Sequence, residues 1–341
     1  MSAKIVTLGE IMLRLAPYHY ERIVQAGQFQ ATYGGGEGNV AVSLAQLGNH
    51  AWFVTRLPEN PVGDAALDTL RRYGVDTEYV LRGGTRLGIY FLEHGASIRP
   101  SNVTYDRAHS AISEIQPGMV DWPAVFRDKD WFHVTGITPA ISESASKVSL
   151  EAVQVAKKAG LKVSCDLNYR KKLWTRDQAR AVMTELVQYV DVIIANEEDA
   201  ADVFGIHAEE TDVTRGKLDT GIYQSVARQL MDQGGAELVA ITLRESLSAS
   251  DNNWSAMLYD GDHFYSSRKY HIHLVDRVGG GDSFGAGLIH AILAGMDRQT
   301  ALEFAVAASG MKQTIPGDMN LMKESEVLKV VQGDISGRVQ R

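Results

Sequence analysis

The residues most able to do chemistry are three consecutive glycines at 279–281 followed by Asp282. They come after a strand-like run at 270–275 and open a predicted helix that ends near Gly295. At the start of a helix, unpaired N–H groups and the helix dipole attract negative charge. The glycine amides could therefore hold charge that develops on a transferred phosphoryl group. The Asp282 carboxylate could accept the proton of an attacking hydroxyl.

The same segment has a simpler interpretation, in which Asp282 only caps the helix and the glycines form a tight turn. Gly-Gly-Gly-Asp by itself does not decide between the two interpretations. The chain contains no G-x-x-x-x-G-K-[ST] segment, and neither of its glycine clusters satisfies G-x-G-x-x-G. P-loop and dinucleotide-binding functions are therefore disfavoured.

A second glycine cluster, Tyr33-Gly-Gly-Gly-Glu-Gly-Asn39, stands immediately before a helix predicted at 39–47. Backbone amides at Gly34 and Gly35 could bind sugar hydroxyls, and Asn39 would add a donor and an acceptor. The alternative is that Asn39 caps the helix after a flexible loop.

Polar residues also follow two strands predicted at 161–166 and 191–195. The first is followed by Asp166-Leu-Asn168-Tyr-Arg170 and the second by Asn196-Glu-Glu-Asp199. Open α/β sheets bind ligands at the carboxyl ends of their parallel strands. A guanidinium there could make a two-point contact with a carboxylate or phosphate, and a carboxylate could hold Mg²⁺ through water. The alternatives are a surface ion pair and a charged first helical turn.

Two segments, 11–33 and 88–106, interrupt the alternation of strands and helices, and we expect them to form a small β lid. Tyr90 and Tyr105 would supply hydroxyls from this lid, and Arg107 would supply a second guanidinium. Two arginines, Arg107 with Arg170, would suit the carboxylate of an acid sugar. Tyr90 is otherwise explained as a half-buried aromatic residue of a strand.

Elsewhere, short β-branched runs alternate with segments of helical period, which is typical of βαβ units on a mostly parallel sheet. We predict strands at 4–8, 131–135, 161–166, 191–195 and 237–242. We predict helices at 39–47, 61–73, 142–159, 175–189 and 220–233, with a surface loop at 206–219. Because no repeat or linker divides the chain, residues 1–341 are predicted to form one doubly wound α/β domain with the lid attached.

Composition argues against several classes of function. The net charge of -8 provides no basic surface for nucleic acid or an anionic membrane, so neither is an expected partner. The single cysteine, Cys165, cannot form an intrachain disulfide, and the apolar run at the start is too short for a signal peptide or membrane span. These features predict a cytoplasmic protein.

Taken in order, the motifs resemble those of the PfkB, or ribokinase-like, family of sugar kinases. They are Gly34-Gly35 with Asn39, Asp166-x-Asn168-x-Arg170, Asn196 with the acid at 199, and Gly279 to Asp282. The resemblance implies a ribokinase-like fold and phosphorylation of a sugar by ATP with Mg²⁺. Tyr90, the 105–107 stretch and the 312–318 run further resemble members that phosphorylate a primary hydroxyl of 2-keto-3-deoxygluconate, a sugar acid.

By this resemblance, Asp282 is the base, and the amides of Gly279, Gly280 and Gly281 form the anion hole. The implied substrate contacts are Gly34, Gly35, Asn39, Tyr90, Tyr105, Arg107, Arg170 and Asp318. The implied nucleotide contacts are Asn168, Arg170, Asn196, Thr242, Arg244, Gly279, Gly281 and Lys312, and Asp199 would hold Mg²⁺ through water. Two residues and one segment depart from the family pattern. Arg277 replaces a threonine, Asp199 replaces a glutamate, and Leu243-Arg-Glu-Ser-Leu-Ser replaces a glycine-rich loop.

Two other functions stay open at this point. One is a kinase for fructose or another neutral sugar, and the other is a non-catalytic sugar or nucleotide sensor on the same fold. The choice between gluconate and galactonate epimers is open as well. Exposed lid strands often pair across subunits, which predicts a homo-oligomer, either a dimer or a larger assembly.

Overall fold

The structure is a computed structural model that describes residues 2–196, 198–207, 220–334 and 337. Most of the surface loop predicted at 206–219 lies outside the described residues. The strands are β1 (Lys4–Leu8), β2 (Met12–Pro17), β3 (Phe29–Gly34), β4 (His50–Leu57), β5 (Val80–Arg82), β6 (Ile89–Glu93), β7 (Asn102–Asp106), β8 (Trp131–Thr135), β9 (Lys162–Asp166), β10 (Val192–Asn196), β11 (Leu238–Ser246), β12 (Asp251–Tyr259), β13 (Phe264–Ser266) and β14 (Tyr270–His273).

The helices lie between these strands and after the last of them. They are α1 (Gly36–Gln46), α2 (Pro61–Arg72), α3 (Trp122–Val125), α4 (Thr138–Ile141), α5 (Glu143–Lys158), α6 (Arg176–Leu186), α7 (Asp199–Phe204), α8 (Thr220–Gly234), α9 (Gly280–Leu293), α10 (Arg298–Lys312) and α11 (Glu324–Val331). None of the helices in the described ranges is long and apolar enough to cross a membrane.

The main sheet has the order β13-β12-β11-β10-β9-β8-β1-β4-β5 and is parallel from β11 to β5. Its strands are apolar on both faces, as expected for parallel strands covered by helices on both sides. Ile5 of β1 packs into one hydrophobic cluster, and the next residue, Val6, packs into the other. The predicted doubly wound, mostly parallel sheet with flanking helices is therefore confirmed.

An antiparallel edge extends this sheet where the sequence predicted less structure. Strand β12 pairs antiparallel with β11, β13 and β14. Its first residues, Asp251 to Asn253, are polar, which concealed the strand in the sequence. Helix α10 was also missed, because its buried residues surround the helix and leave no amphipathic period to detect.

A smaller sheet of order β3-β2-β6-β7 is formed by parts of the two segments that interrupt the βαβ rhythm. This smaller sheet is named the lid sheet for its predicted role, and one of its strands contacts segments next to the main sheet. Arg14 of β2 donates from Nη1 to Asp318 Oδ1 at 2.6 Å, and its Nη2 pairs with Asp276. Both carboxylates belong to segments that flank α9 and α10, so the lid sheet and the segments around these helices share one buried ion network.

The buried face of α9 yields a test of the fold. Leu288 is 0% exposed within the cluster that joins α9 and α10, so Leu288→Ala should lower the free energy of unfolding by about 2–5 kcal/mol. Leu247→Ala is the matched control, because Leu247 is 58% exposed and its truncation should change stability little. Urea denaturation followed by circular dichroism compares them, and equal midpoints for the two variants would contradict this packing.

Candidate active site

A cleft of about 360 Å³ opens between the lid sheet and the carboxyl ends of β9, β10 and β11. The first turns of α1 and α9 form its floor. Both helices begin at glycine-rich segments that line the cleft. Most of the residues predicted to do chemistry line this cleft. They are Gly35, Asn39, Tyr90, Tyr105, Arg107, Asn168, Arg170, Asn196, Asp199, Thr242, Arg244, Gly279, Gly280, Gly281, Asp282 and Asp318.

Asp282 lies in the first turn of α9 at the floor of the cleft. The residue in the N-cap position is Gly279, and no side chain caps this helix, so the alternative in which Asp282 is a cap is wrong. Its Oδ2 accepts a hydrogen bond from Asn39 Nδ2 at 2.7 Å. Desolvation raises the pKa of Asp282 to about 6, and the Asn39 hydrogen bond opposes that rise. The carboxylate is thus ionised at neutral pH yet more basic than an exposed aspartate.

Among the described residues, two of the three glycine amides in the turn lack a hydrogen-bond partner. The N–H groups of Gly279 and Gly281 have no hydrogen-bond partner in the described ranges, whereas Gly280 donates to the Arg277 carbonyl at 3.3 Å. The prediction of three available amides is corrected on this point. Gly279 has φ +81, and a Cβ there would collide with the Asp318 carbonyl, so both conformation and space require glycine.

Asn39 lies inside the first turn of α1 and not at its cap, because the helix begins at Gly36 with Gly35 as N-cap. Its Oδ1 accepts from the Gly35 amide at 3.2 Å while its Nδ2 donates to Asp282. Both ends of the carboxamide are therefore engaged, which differs from the predicted free donor and acceptor for sugar hydroxyls. Asn39 links the two glycine-rich helix starts.

Three of the predicted substrate contacts pack against one another. Tyr90 donates its hydroxyl to Asp318 Oδ2 at 2.5 Å, and the other oxygen of this carboxylate accepts from Arg14. Gly34 does not line the cleft. The Asp318 side chain packs so closely against it that a Cβ at position 34 would overlap the carboxylate. The Asp318 carboxylate is therefore held by two partners at the base of the lid.

The two predicted guanidinium groups differ in their partners. Arg107 is buried and pairs with Glu10, and its Cζ lies 5.4 Å from the centre of the Tyr105 ring. Tyr105 is 38% exposed on the lid side of the cleft. The side chain of Arg170 makes a single hydrogen bond within the described ranges, from Nη1 to the Tyr169 carbonyl at 3.2 Å. Arg170 is thus a half-buried cation that forms no salt bridge in that part of the chain, although its charge acts on the carboxylates of Asp166, Asp199 and Asp282.

The ends of β9 and β10 are joined by Asp199. Its Oδ1 accepts from the Tyr169 amide and its Oδ2 from the Asn196 amide, both at 3.0 Å. In turn, Asn196 Oδ1 accepts a hydrogen bond from the Asp199 amide at 3.0 Å. The Asn168 backbone has φ +39, which is uncommon for a residue with a side chain. These contacts fix the direction in which the polar loops enter the cleft.

Acidic residues concentrate along this edge. Desolvation, reinforced by the charges of Asp199 and Asp282, holds the pKa of Asp166 well above its usual range. A cation would relieve this repulsion, which fits a divalent ion nearby. Among the described residues no group of three or more acidic, histidine or cysteine side chains could hold a metal directly. Asp166 and Asp199 are the carboxylates of this edge that could contact a hydrated divalent ion.

Beyond these loops, Thr242 and Arg244 lie on β11 near its carboxyl end. Thr242 is buried and its Oγ1 donates to the Ala195 carbonyl at 3.4 Å. Arg244 is exposed along the same wall as the half-buried Arg277, whose pKa is lowered by burial and then by the Arg244 charge. Two guanidinium groups therefore face this end of the cleft without an acidic partner in the described ranges.

Lys312 lies outside the cleft, in contrast to its predicted contact with nucleotide. Its side chain is 0% exposed, and its Nζ donates to the carbonyls of Asp276, at 3.1 Å, and Val278. The physical reason is that α10 ends beneath the glycine turn and directs the ammonium into the protein.

Three buried charged residues near the cleft, Glu10, Arg14 and Glu37, were missed. Glu37 Oε1 accepts from the Thr135 amide and from the hydroxyls of Thr135 and Thr138. Desolvation raises the pKa of Glu37 to about 7. The sequence signal that could have identified Glu10 and Arg14 is their position as the two charged residues of an otherwise apolar run, 10–15.

Comparison with known proteins agrees with this architecture. A solved structure of 2-dehydro-3-deoxygluconokinase from Thermotoga maritima has a TM-score of 0.94 and 49% identity, covering 98% of this chain and 99% of that one. The 2-dehydro-3-deoxygalactonokinase of Haloferax volcanii is 33% identical over 99% of each chain. The 2-dehydro-3-deoxygluconokinase of Bacillus subtilis is 29% identical over 96% of this chain and 95% of that protein.

The family model for pfkB family carbohydrate kinases matches residues 2–324, which is nearly the whole chain. This match includes both glycine-rich helix starts, the lid strands and the polar strand ends. On the fold, the cleft and these matches together, the chain belongs to the pfkB family of carbohydrate kinases.

Proposed function

We propose that this protein transfers the γ-phosphoryl group of ATP to the primary hydroxyl of a 2-keto-3-deoxy sugar acid, in the gluconate or the galactonate series. The observation that carries the proposal is Asp282, a desolvated carboxylate with a pKa of about 6. It lies beside the amides of Gly279 and Gly281, which have no hydrogen-bond partner among the described residues. Family membership supports the kinase reaction, and the names of the relatives support the class of substrate.

In this mechanism, Asp282 accepts the proton of the attacking hydroxyl as that oxygen approaches the γ-phosphorus. At neutral pH the carboxylate is ionised, and its raised pKa makes it a better acceptor than an exposed aspartate. The amides of Gly279 and Gly281 donate to the oxygens on which negative charge accumulates. Asn39 keeps Asp282 in place by its 2.7 Å hydrogen bond.

Arg170 is the proposed partner of the substrate carboxylate. It is half-buried, lines the cleft and forms no salt bridge in the described ranges, so it can bind a substrate carboxylate without breaking an existing ion pair. Arg107 is already paired with Glu10 and supports the binding wall together with Tyr105. In this proposal Tyr90 and Asp318 shape the lid side of the cleft next to the sugar.

The nucleotide end is assigned to the β9, β10 and β11 termini, with Asn168, Asn196 and Thr242 on the wall. Arg244 and Arg277 form no salt bridge with the described residues, and their positive charge would attract the phosphates of ATP. A hydrated Mg²⁺ held by Asp166 and Asp199 would neutralise phosphate charge when bound. We further propose that the smaller sheet acts as a lid. An oligomeric assembly and a cytoplasmic location stay predictions.

Replacing the base tests the mechanism. Asp282→Asn keeps the size of the side chain but removes the proton acceptor, so kcat should fall by about 10² to 10⁴ with the melting temperature nearly unchanged. In the native protein, kcat/KM should decline as pH falls through about 6, because protonation of Asp282 removes the base. Coupled ADP-release assays from pH 5 to 8 measure both, and near-native turnover of the variant would exclude Asp282 as the base.

Asn39 is expected to position Asp282 and not to select the sugar. Its hydrogen bond stabilises the ionised carboxylate, so Asn39→Ala should move the acidic limb of the kcat/KM profile to higher pH. The variant should therefore be less active than native protein at low pH. At pH 8, where Asp282 is ionised in both proteins, much of this difference should disappear. A parallel loss at every pH, expressed as a raised sugar KM, would indicate direct contact with substrate instead.

Arg170 tests the acid-sugar assignment. Arg170→Met should lower kcat/KM for 2-keto-3-deoxygluconate by about 10- to 100-fold, because a charged hydrogen bond is lost, and should change turnover of fructose little. Because the Arg170 charge lowers the pKa of Asp282, the assays are run at pH 8, where Asp282 stays ionised after Arg170 is replaced. Arg71→Met, on the exposed side of α2, is the control.

The native protein should prefer 2-keto-3-deoxy acids over fructose in the same screen. Equal kcat/KM values for fructose and the acids, unaltered by Arg170→Met, would favour a neutral-sugar kinase. Nucleotide binding without ADP release from any sugar would favour a sensor.

A further inference from the structure

One lysine lies fully buried behind the glycine turn. Lys312, the last residue of α10, is 0% exposed, and its Nζ donates to the carbonyl oxygens of Asp276 and Val278. In the described part of the chain the ammonium donates to these two backbone oxygens and forms no salt bridge. Such coordination by carbonyl dipoles resembles that of a bound cation more than that of a surface lysine.

The position is costly for a charged side chain. Removing an ammonium from water costs several kcal/mol unless nearby groups compensate. Burial lowers the pKa of Lys312, and the carboxylates of Asp276 and Asp318 oppose this shift. A methionine of similar length would fill the same space without that cost. Packing alone therefore does not account for a lysine at this position.

The carbonyls of Asp276 and Val278 show how the Lys312 ammonium can affect the glycine turn. A trans peptide group is planar, so the C=O of one residue and the N–H of the next point in opposite directions. With the Val278 carbonyl directed at the buried ammonium, the Gly279 N–H is directed away from it. Gly279 lines the cleft, and its N–H has no partner in the described ranges. A contact behind the turn thus sets the direction of a donor in front of it.

We propose that Lys312 is a positioning residue, a built-in cation that holds the turn before Asp282 with the Gly279 N–H aimed at the transferred phosphoryl group. This inference rests on the proposed kinase function, because it gives that N–H a role in the reaction. The carbonyl of Asp276, held by the same ammonium, orients the Arg277 N–H in the same way. Lys312 itself touches neither substrate nor nucleotide.

The first variant removes charge and keeps volume. Lys312→Met should lower kcat by roughly 10- to 100-fold, somewhat less than the loss of a whole anion-hole donor, with the sugar KM within about threefold of native. Lys157→Met is the matched control, because Lys157 is a partly exposed lysine that pairs with Asp191 at the opposite end of the sheet. Native kcat in Lys312→Met would overturn the proposal, since it would leave only a packing role.

The second variant tests whether a cation is what the turn needs. Lys312→Ala leaves space for a small cation, so ammonium or methylammonium chloride should restore kcat at least fivefold in a saturable way. Sodium chloride at the same ionic strength should not, and native protein and Lys312→Met should not respond. An Ala variant that folds and is impaired but shows no rescue would contradict the cation role. If this variant does not fold, Lys312→Met decides the matter.

A measurement independent of activity separates this inference from the proposed function. Hydrogen exchange of the peptide spanning 275–283, followed by mass spectrometry in the absence of substrates, should be faster in Lys312→Met than in native protein and unchanged in Lys157→Met. If native protein phosphorylates no sugar, the proposed function fails while the exchange comparison still tests the turn. Unchanged exchange at 275–283 in Lys312→Met would overturn the positioning role.

Discussion

The geometry of the cleft depends on the buried ion pair between Arg14 and Asp276. Arg14 belongs to β2 of the lid sheet, and Asp276 stands immediately before the glycine turn. The Asp276 carboxylate also accepts hydrogen bonds from the backbone amides of Val278 and Gly317, both at 3.1 Å. One side chain thus holds a lid strand, the start of the turn and the segment after α10 in a single arrangement.

Buried charges of this kind stabilise a protein poorly compared with apolar packing, because desolvation offsets most of their attraction. Breaking one is nevertheless costly, since the remaining charge is left without a partner. Arg14 satisfies two carboxylates, Asp276 and Asp318, and Arg107 satisfies Glu10 in the same region. These pairs therefore define where the walls of the cleft stand, while the hydrophobic clusters on either side of the main sheet supply the bulk of the stability.

Desolvation also divides the acids of the cleft into different roles. Asp318 pairs with Arg14 and accepts a hydrogen bond from Tyr90. Asp282 is buried, has one side-chain donor among the described residues, Asn39, and has a pKa of about 6. Desolvation, followed by the charges of Asp199 and Asp282, holds the pKa of Asp166 well above its usual range. In the proposed reaction this separation lets one acid act as the base, another shape the sugar site and a third attract a divalent cation.

Local patterns in the sequence were sufficient for the layered fold and for the position of Asp282. Strands β1 and β8 have the predicted bounds, because an apolar run between polar residues is a property of adjacent residues. Which glycine amides stay free, why Lys312 is buried and which acid neutralises Arg14 were decided only by the tertiary structure. Arg14 and Asp318 are 304 residues apart in the chain, and their contact exists because separate elements pack together and exclude water from both charges.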